Sequence, residues 1–367
     1  MTDERANGAG GPQSPTPARS RRRRSSPYER GSRREGGTSG RPHYAALDLG
    51  TNNCRLLVAH PTDEAFQVVD SFSRIVRLGE GLSGSGQLSD AAMVRAIGAL
   101  KICAGKLSHH GRVRSRLIAT EACRAAANGG DFLERVRAAT GLDLEIIDRE
   151  TEARLAAHGC ASLLDPSANG AILFDIGGGS SELAFLGRSA GADHGPPPAT
   201  IQSWASLPMG VVTMAERHGG KTVTAEIFAA MIDEVLPYVA DFAQRSGVNG
   251  TEGLHLLGTS GTVTTMAGLH LELPYYERRR VDGLWMQAAE LDAVVERLLH
   301  SSYEQRVAHA CIGSERADLV LGGCAILEAI RRVFPCERLR VADRGLREGM
   351  LIELMRADGV WSRSQAS

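Results

Sequence analysis

The stretch Asp175-Ile176-Gly177-Gly178-Gly179-Ser180-Ser181-Glu182-Leu183 constrains this chain more than any other. An apolar run, Ala171-Ile172-Leu173-Phe174, leads into it, and Leu183-Ala184-Phe185-Leu186 leads out. The pattern reads as strand, tight turn, strand. Three consecutive glycines open backbone conformations closed to residues with side chains, and their N–H groups can converge on one point. The serines beside them add hydroxyl donors. An acid at the end of the incoming strand is well placed to hold a divalent cation through one carboxylate and waters. Such a loop can cradle a phosphate carried with Mg²⁺, although a lone turn of this kind is equally well a plain hairpin.

A second copy changes that balance. Asp48-Leu49-Gly50-Thr51-Asn52-Asn53-Cys54-Arg55-Leu56 matches the first stretch position for position, Asp48 with Asp175, Gly50 with Gly177 and Leu56 with Leu183. It too lies between strand-like runs. Two equivalent acid-and-glycine hairpins, each opening one half of the chain, predict a duplicated α/β domain with the two loops facing each other across a cleft.

The 367 residues have room for two domains of common size. We place a basic tail at 1–41, a first domain at 42–167, a second at 168–360 and a short tail at 361–367. Residues 1–41 hold ten arginines against four acids, or +6, so the net −1 of the whole chain leaves −7 for the rest. This tail is rich in Gly, Ser, Pro and Arg, has almost nothing to bury, and is expected to be disordered. Its charge suits contact with a polyanion; a solvated extension without a role is the plainer reading. Only three lysines occur, Lys101, Lys106 and Lys221, so an anion clamp must be built from arginine or backbone N–H groups. The seven cysteines form no CxxC pair, which points to reduced core residues of a cytoplasmic protein. No apolar run approaches the about 20 residues of a membrane span.

Along the chain, strands are expected at 43–50, 53–60 and 65–71, followed by a loop through Val76–Leu82 with Arg74 and Arg77 near it. Ser89 and Asp90 can cap a helix to about His109. A short strand at 116–120, a helix at 131–140, a strand at 144–147 and a helix at 150–164 complete the first half. The second half repeats the order: strands at 170–175, 181–187 and 200–206, then a helix from Thr224 to about Gln244 containing Pro237, where a kink is expected. Next come a strand at 255–258 running into the donor-rich turn Thr259-Ser260-Gly261-Thr262, helices at 288–300 and 315–333, and a strand at 338–342. A terminal helix closes the chain. This order resembles the actin and sugar-kinase type of nucleotide-handling domain.

Glu150 and Glu152 open the helix between the two hairpins. Glu152, aimed into the cleft, could orient and deprotonate a water for attack on phosphorus; a helix-opening acid that merely complements the macrodipole is the alternative. Arg124 and Asn128 lie just past a strand's end, where open α/β folds place ligand contacts. Arg124 reads as a phosphate grip or as half of a surface ion pair. Gly220-Lys221-Thr222 lacks the first glycine of a P-loop, since Ala215 stands there. No GxSxG elbow is present for a serine hydrolase.

Taken together, Asp48–Asn52, Glu152-Ala153-Arg154-Leu155, Asp175–Leu183, Gly258–Thr262 and Leu346-Arg347-Glu348-Gly349 resemble the exopolyphosphatase and guanosine pentaphosphatase family, Ppx/GppA, of the actin-like ATPase superfamily. The likeness spans about residues 43–357. It implies two duplicated actin-like, ribonuclease H-like α/β domains facing a central cleft. It also implies Glu152 as general base, with Asp175 and Asp48 as the acids that help hold Mg²⁺. The implied phosphate contacts are Thr51, Asn52, Asn53, Arg124, Gly177, Gly178, Gly179, Ser180 and Ser181. Glu182, Ser260, Gly261 and Thr262 would border the site. Two departures stand out: Gly-Thr-Asn-Asn replaces the Gly-Ser-Asn-Ser of many members, and the His-Asp dipeptide of the longer relatives' helical domain does not occur, so the short, two-domain form is expected.

The resemblance implies an exopolyphosphatase, with pppGpp 5′-phosphohydrolysis as the alternative. A third reading is a nucleotide-binding regulator or actin-like assembly protein without turnover. The short chain after Gly258, which leaves little room for an adenosine pocket, and the acid at 152 both speak against it. A homodimer is compatible with the sequence.

Overall fold

The computed structural model describes residues 42–188, 194–248 and 250–361. The basic tail, residues 362–367 and part of the loop after residue 187 lie outside the described residues.

Two mixed sheets organise the chain. In the first, β1 (His43–Leu49) pairs antiparallel with β2 (Asn53–Pro61), which pairs antiparallel with β3 (Phe66–Ile75). Then β4 (Val113–Ala119) joins β1 in parallel, and β5 (Glu145–Ile146) joins β4, giving the order β3-β2-β1-β4-β5. The second sheet has β6 (Gly170–Ile176), β7 (Ser181–Gly187), β8 (Ile201–Leu207), β9 (Leu254–Thr259), β10 (Trp285–Gln287) and β11 (Arg338–Val341). Its order is β10-β11-β9-β6-β7-β8. Read from the β8 end, it repeats the first sheet strand for strand, with β10 added antiparallel at the edge. This is the duplicated two-domain α/β fold expected from the paired hairpins.

The first half carries helices α1 (Leu82–Ser85), α2 (Asp90–His109), α3 (Glu121–Ala125), α4 (Gly129–Thr140) and α5 (Arg149–Cys160). The second carries α6 (Val211–His218), α7 (Ala225–Ser246), α8 (Ser260–His270), α9 (Arg278–Val281), α10 (Ala288–Leu299), α11 (Tyr303–Ala308), α12 (Val320–Val333) and α13 (Leu346–Ala357). Capping sets several starts. The Ser89 side chain accepts from Ala92 N at 3.3 Å, Asp148 from Thr151 N at 2.7 Å, and Thr224 from Ile227 N at 3.3 Å. Helix α7 continues through Pro237 to Ser246. Three expectations need correction. The helix placed at 315–333 begins at Val320, the helix placed at 150–164 ends at Cys160 before a 3₁₀ turn, and the turn at 259–262 is the start of α8. Helix α8 buries every residue from Thr262 to Leu269, so it has no one-sided apolar stripe for periodicity to detect.

Alternation along the central strands gives each sheet two apolar faces. In the first sheet, Ala45, Leu47, Leu49, Leu56 and Val58 face α2 and α4, while Tyr44, Ala46, Leu57 and Ala59 meet Met350, Leu351 and Met355 of α13. The helix covering that second face therefore comes from the far end of the chain. Helix α5 makes the reciprocal move, placing Ala157 and Cys160 against Ala171, Leu173, Ala184 and Leu186 of the second sheet. The two exchanged helices cross with their backbones in contact. A Cβ at Gly349 would stand 1.9 Å from the Leu155 carbonyl oxygen, and one at Gly159 would stand 1.9 Å from that of Gly345. Gly349→Ala is expected to destabilise the protein by about 2 kcal/mol through overpacking, read as a lower urea midpoint; an unchanged midpoint would mean the crossing yields easily.

All seven cysteines are free and buried. Among the described residues, no helix is long and apolar enough to cross a membrane.

Candidate active site

The two hairpins are built alike down to single hydrogen bonds. Gly50 N–H donates to the Asn53 carbonyl at 2.8 Å, and Gly177 N–H to the Ser180 carbonyl at 3.0 Å. Each acid faces the equivalent residue of the returning strand, Asp48 opposite Arg55 and Asp175 opposite Glu182. One hairpin thus pairs acid with base, the other acid with acid. Their tips meet: a Cβ at Gly178 would stand 2.9 Å from Thr51 Cβ and 3.1 Å from Asn52 N. The Thr51 methyl, which serine would lack, lies 3.2 Å from that position and 2.3 Å from the equivalent point at Gly79. Two missing side chains make room for one methyl.

Both hairpins line a cleft of about 790 Å³, together with Glu121, Glu152, the start of α8, residues 310–316 and the start of α13. Of the eight acids that line it, Asp48, Asp175 and Glu182 come from the two hairpins and Glu152 from α5. Burial raises the Asp48 carboxyl to about 6; Arg55 and Arg347 pull it down and Asp175 pushes it up. Burial also raises Asp175, against Arg55 and a hydrogen bond from Ser260. Glu182, buried, is raised to about 7 by desolvation and by Asp175, although its Oε1 accepts from Ser180 Oγ at 2.8 Å and Ser206 Oγ at 3.0 Å. Glu152 is raised well above the ordinary range, by burial and then by Glu182, with Arg124 opposing. A carboxylate raised toward neutrality is a stronger base than an exposed one.

Arg124 stands behind this cluster. Its Nη2 donates to Glu152 Oε2 at 3.1 Å and to Glu121 Oε2 at 2.5 Å, and its Nη1 donates to the Ile147 carbonyl at 2.6 Å. It does not line the cleft, so in this structure it orients a carboxylate where a phosphate grip was expected. Ser181 is likewise turned away, fully buried with its hydroxyl on the Met209 carbonyl at 2.7 Å. Thr51, Asn52, Asn53, Gly177, Gly178, Gly179, Ser180, Ser260, Gly261 and Thr262 all line the cleft. Ser260 holds φ at 80°, a conformation that strains a residue with a side chain and is found mostly where surroundings enforce it.

Lining arginines escaped sequence reasoning. Arg55, Arg316 and Arg347 line the cleft without an ion-pair partner among the described residues. Arg55 was visible inside the repeated motif and Arg347 inside Leu346–Gly349. Arg316 had no local signal, because its segment reaches the cleft only through tertiary packing. Acids facing guanidinium groups that hold no ion pair suit an anionic ligand that arrives with a cation.

The family model that matches this chain is that of the Ppx/GppA phosphatase family, over residues 57–358. The chain belongs to the Ppx/GppA phosphatase family. The match begins just past the first hairpin, whose membership in the site rests on the shared Gly50–Asn53 and Gly177–Ser180 geometry. Among solved structures, the Aquifex aeolicus member of the Ppx/GppA family is 26% identical with a TM-score of 0.71, the match covering 86% of this chain and 98% of that one. An exopolyphosphatase-like protein is 27% identical with a TM-score of 0.77 over the same shares. An exopolyphosphatase from Cytophaga hutchinsonii, 23% identical, shares the fold with a TM-score of 0.75, over 86% of this chain and 98% of that one.

Proposed function

We propose that this phosphatase is an exopolyphosphatase, releasing orthophosphate from the end of linear inorganic polyphosphate. The observation that carries the reading is the juxtaposition of a buried, elevated carboxylate, Glu152, with unpaired arginines at one cleft. The single aromatic ring among the lining residues, Tyr276, has its hydroxyl on Asp343 at 2.6 Å, so the lining offers charge and backbone donors more readily than a platform for a nucleobase.

In this reading the terminal phosphate sits against the amides of Thr51–Asn53 and Gly178–Ser180, while Arg55, Arg316 and Arg347 gather its oxygens. Glu152, held by Arg124, accepts a proton from water as the water oxygen bonds to the terminal phosphorus. The bridging P–O bond breaks, orthophosphate leaves, and the bridging oxygen remains on a chain one phosphate shorter. Donors fixed where charge builds up are each worth about 3 kcal/mol. Asp48 and Asp175 fit a Mg²⁺ ion: Asp48 Oδ1 is buried without a partner, and Mg²⁺ needs only one or two carboxylates beside waters and phosphate oxygens. Such an ion would supply charge neutralisation at the phosphoryl oxygens.

The test is orthophosphate release from polyphosphate and from pppGpp at equal concentrations of terminal phosphate, with Mg²⁺ and with chelator. Faster release from polyphosphate, abolished by chelator, is expected. Faster release from pppGpp would assign the nucleotide as substrate, and release from neither would remove the hydrolytic reading.

A further inference from the structure

Apart from the hairpin tips and the α5–α13 crossing, side chains of the loop after β3 also join the halves. Arg77 reaches across and grips Asp318 with both terminal nitrogens, Nη1 to Oδ2 at 3.0 Å and Nη2 to Oδ1 at 2.9 Å. Its Nη2 also donates to the Glu315 carbonyl at 3.1 Å. From the second half, Glu216 of α6 accepts from the Gly81 amide at 2.7 Å and from the Ser83 hydroxyl. The Arg77 and Asp318 side chains are only 29% and 20% exposed. A two-pronged, partly buried pair of this kind is stronger than an ordinary surface ion pair.

Both ends of this contact are anchored in the cleft. On the first half, the Val76 and Arg77 amides donate to the Asn52 carbonyl at 2.9 and 3.1 Å, and the Gly79 amide to that of Thr51 at 3.0 Å. The loop carrying Arg77 is thus fastened to the first hairpin. On the second half, Glu315 and Asp318 bracket Arg316, which lines the cleft with its Nη1 donating to Thr265 Oγ1 at 3.5 Å. Arg77 itself holds φ at 45°, a region a long side chain enters only when its surroundings require it.

We propose that Arg77 is a positioning residue. By clasping Asp318 and the Glu315 carbonyl it sets Arg316 against the phosphates bound at the first hairpin and keeps the two halves closed on them. The kinetic arm of its test rests on the exopolyphosphatase reading; the shape arm does not.

Wild type, Arg77→Ala and the reversed pair Arg77→Asp with Asp318→Arg are compared by steady-state phosphate release from polyphosphate and by small-angle scattering without substrate. Circular dichroism establishes that each variant is folded. Aspartate is among the residues that tolerate positive φ, so the reversed pair can form. Arg77→Ala should raise KM about tenfold with kcat within about twofold. It should also enlarge the radius of gyration, and the reversed pair should recover both. An unchanged KM and radius, a loss confined to kcat, or a reversed pair no better than Arg77→Ala would overturn the proposal. If the wild type releases no phosphate from polyphosphate, the substrate reading fails while scattering still decides the clasp, a larger Arg77→Ala radius supporting it and an equal one refuting it.

Discussion

Glu152→Gln should lower kcat on polyphosphate by about 10²-fold or more while leaving KM within about twofold. Glutamine keeps the length and the oxygen that accepts from Arg124 Nη2, so the contact at 3.1 Å can persist. It cannot take a proton from water. The substitution leaves the hairpin amides and the arginines in place, so the loss should fall on turnover. Glu152 is raised by burial and by Glu182, so wild-type kcat should fall on the acid side at a pH above the ordinary carboxylate range. That limb should be absent from whatever activity the variant keeps. Normal turnover in Glu152→Gln would sink the base assignment.

Glu182→Gln should stabilise the protein at pH 8 by about 2–3 kcal/mol and change little at pH 4. The folded carboxyl titrates at about 7 against an ordinary 4.5, because burial and Asp175 disfavour its charge. A group raised on folding contributes its stability below the unfolded value and loses it as pH rises through the folded one, here between about 4.5 and 7. Glutamine mimics the neutral form at every pH and can still accept from Ser180 and Ser206. Urea unfolding in chelator at the two pH values is the measurement, and equal stability of variant and wild type at pH 8 would refute it. Removing the Glu182 charge also lowers the Glu152 titration, so the acid limb of any residual activity should move to lower pH. Stability given up to hold a buried charge is the usual trade at a catalytic site.

Local pattern carried much of the fold. The runs flanking Asp48 and Asp175 became central strands because each face of these sheets is covered, and such strands read as nearly continuous apolar stretches. Ser89, Asp148 and Thr224 acted as caps because a cap is a local hydrogen bond. Helix α8 and the short α3, α6, α9 and α11 were not legible, since a helix buried all round, or of one or two turns, shows no 3.6-residue stripe.

The duplicated turns, their acids and the family motifs could be read from residue order, because strand alternation and glycine's backbone freedom act over a few neighbouring residues. Folding in three dimensions settled the rest: α5 and α13 exchanged between sheets, Thr51 seated against Gly178, Arg124 turned to Glu152, and Arg316 brought to the cleft behind the Arg77–Asp318 pair. Those contacts join residues as far apart in the chain as Tyr44 and Met355. Their energies depend on burial and on the charges packed around them, which no local spacing encodes.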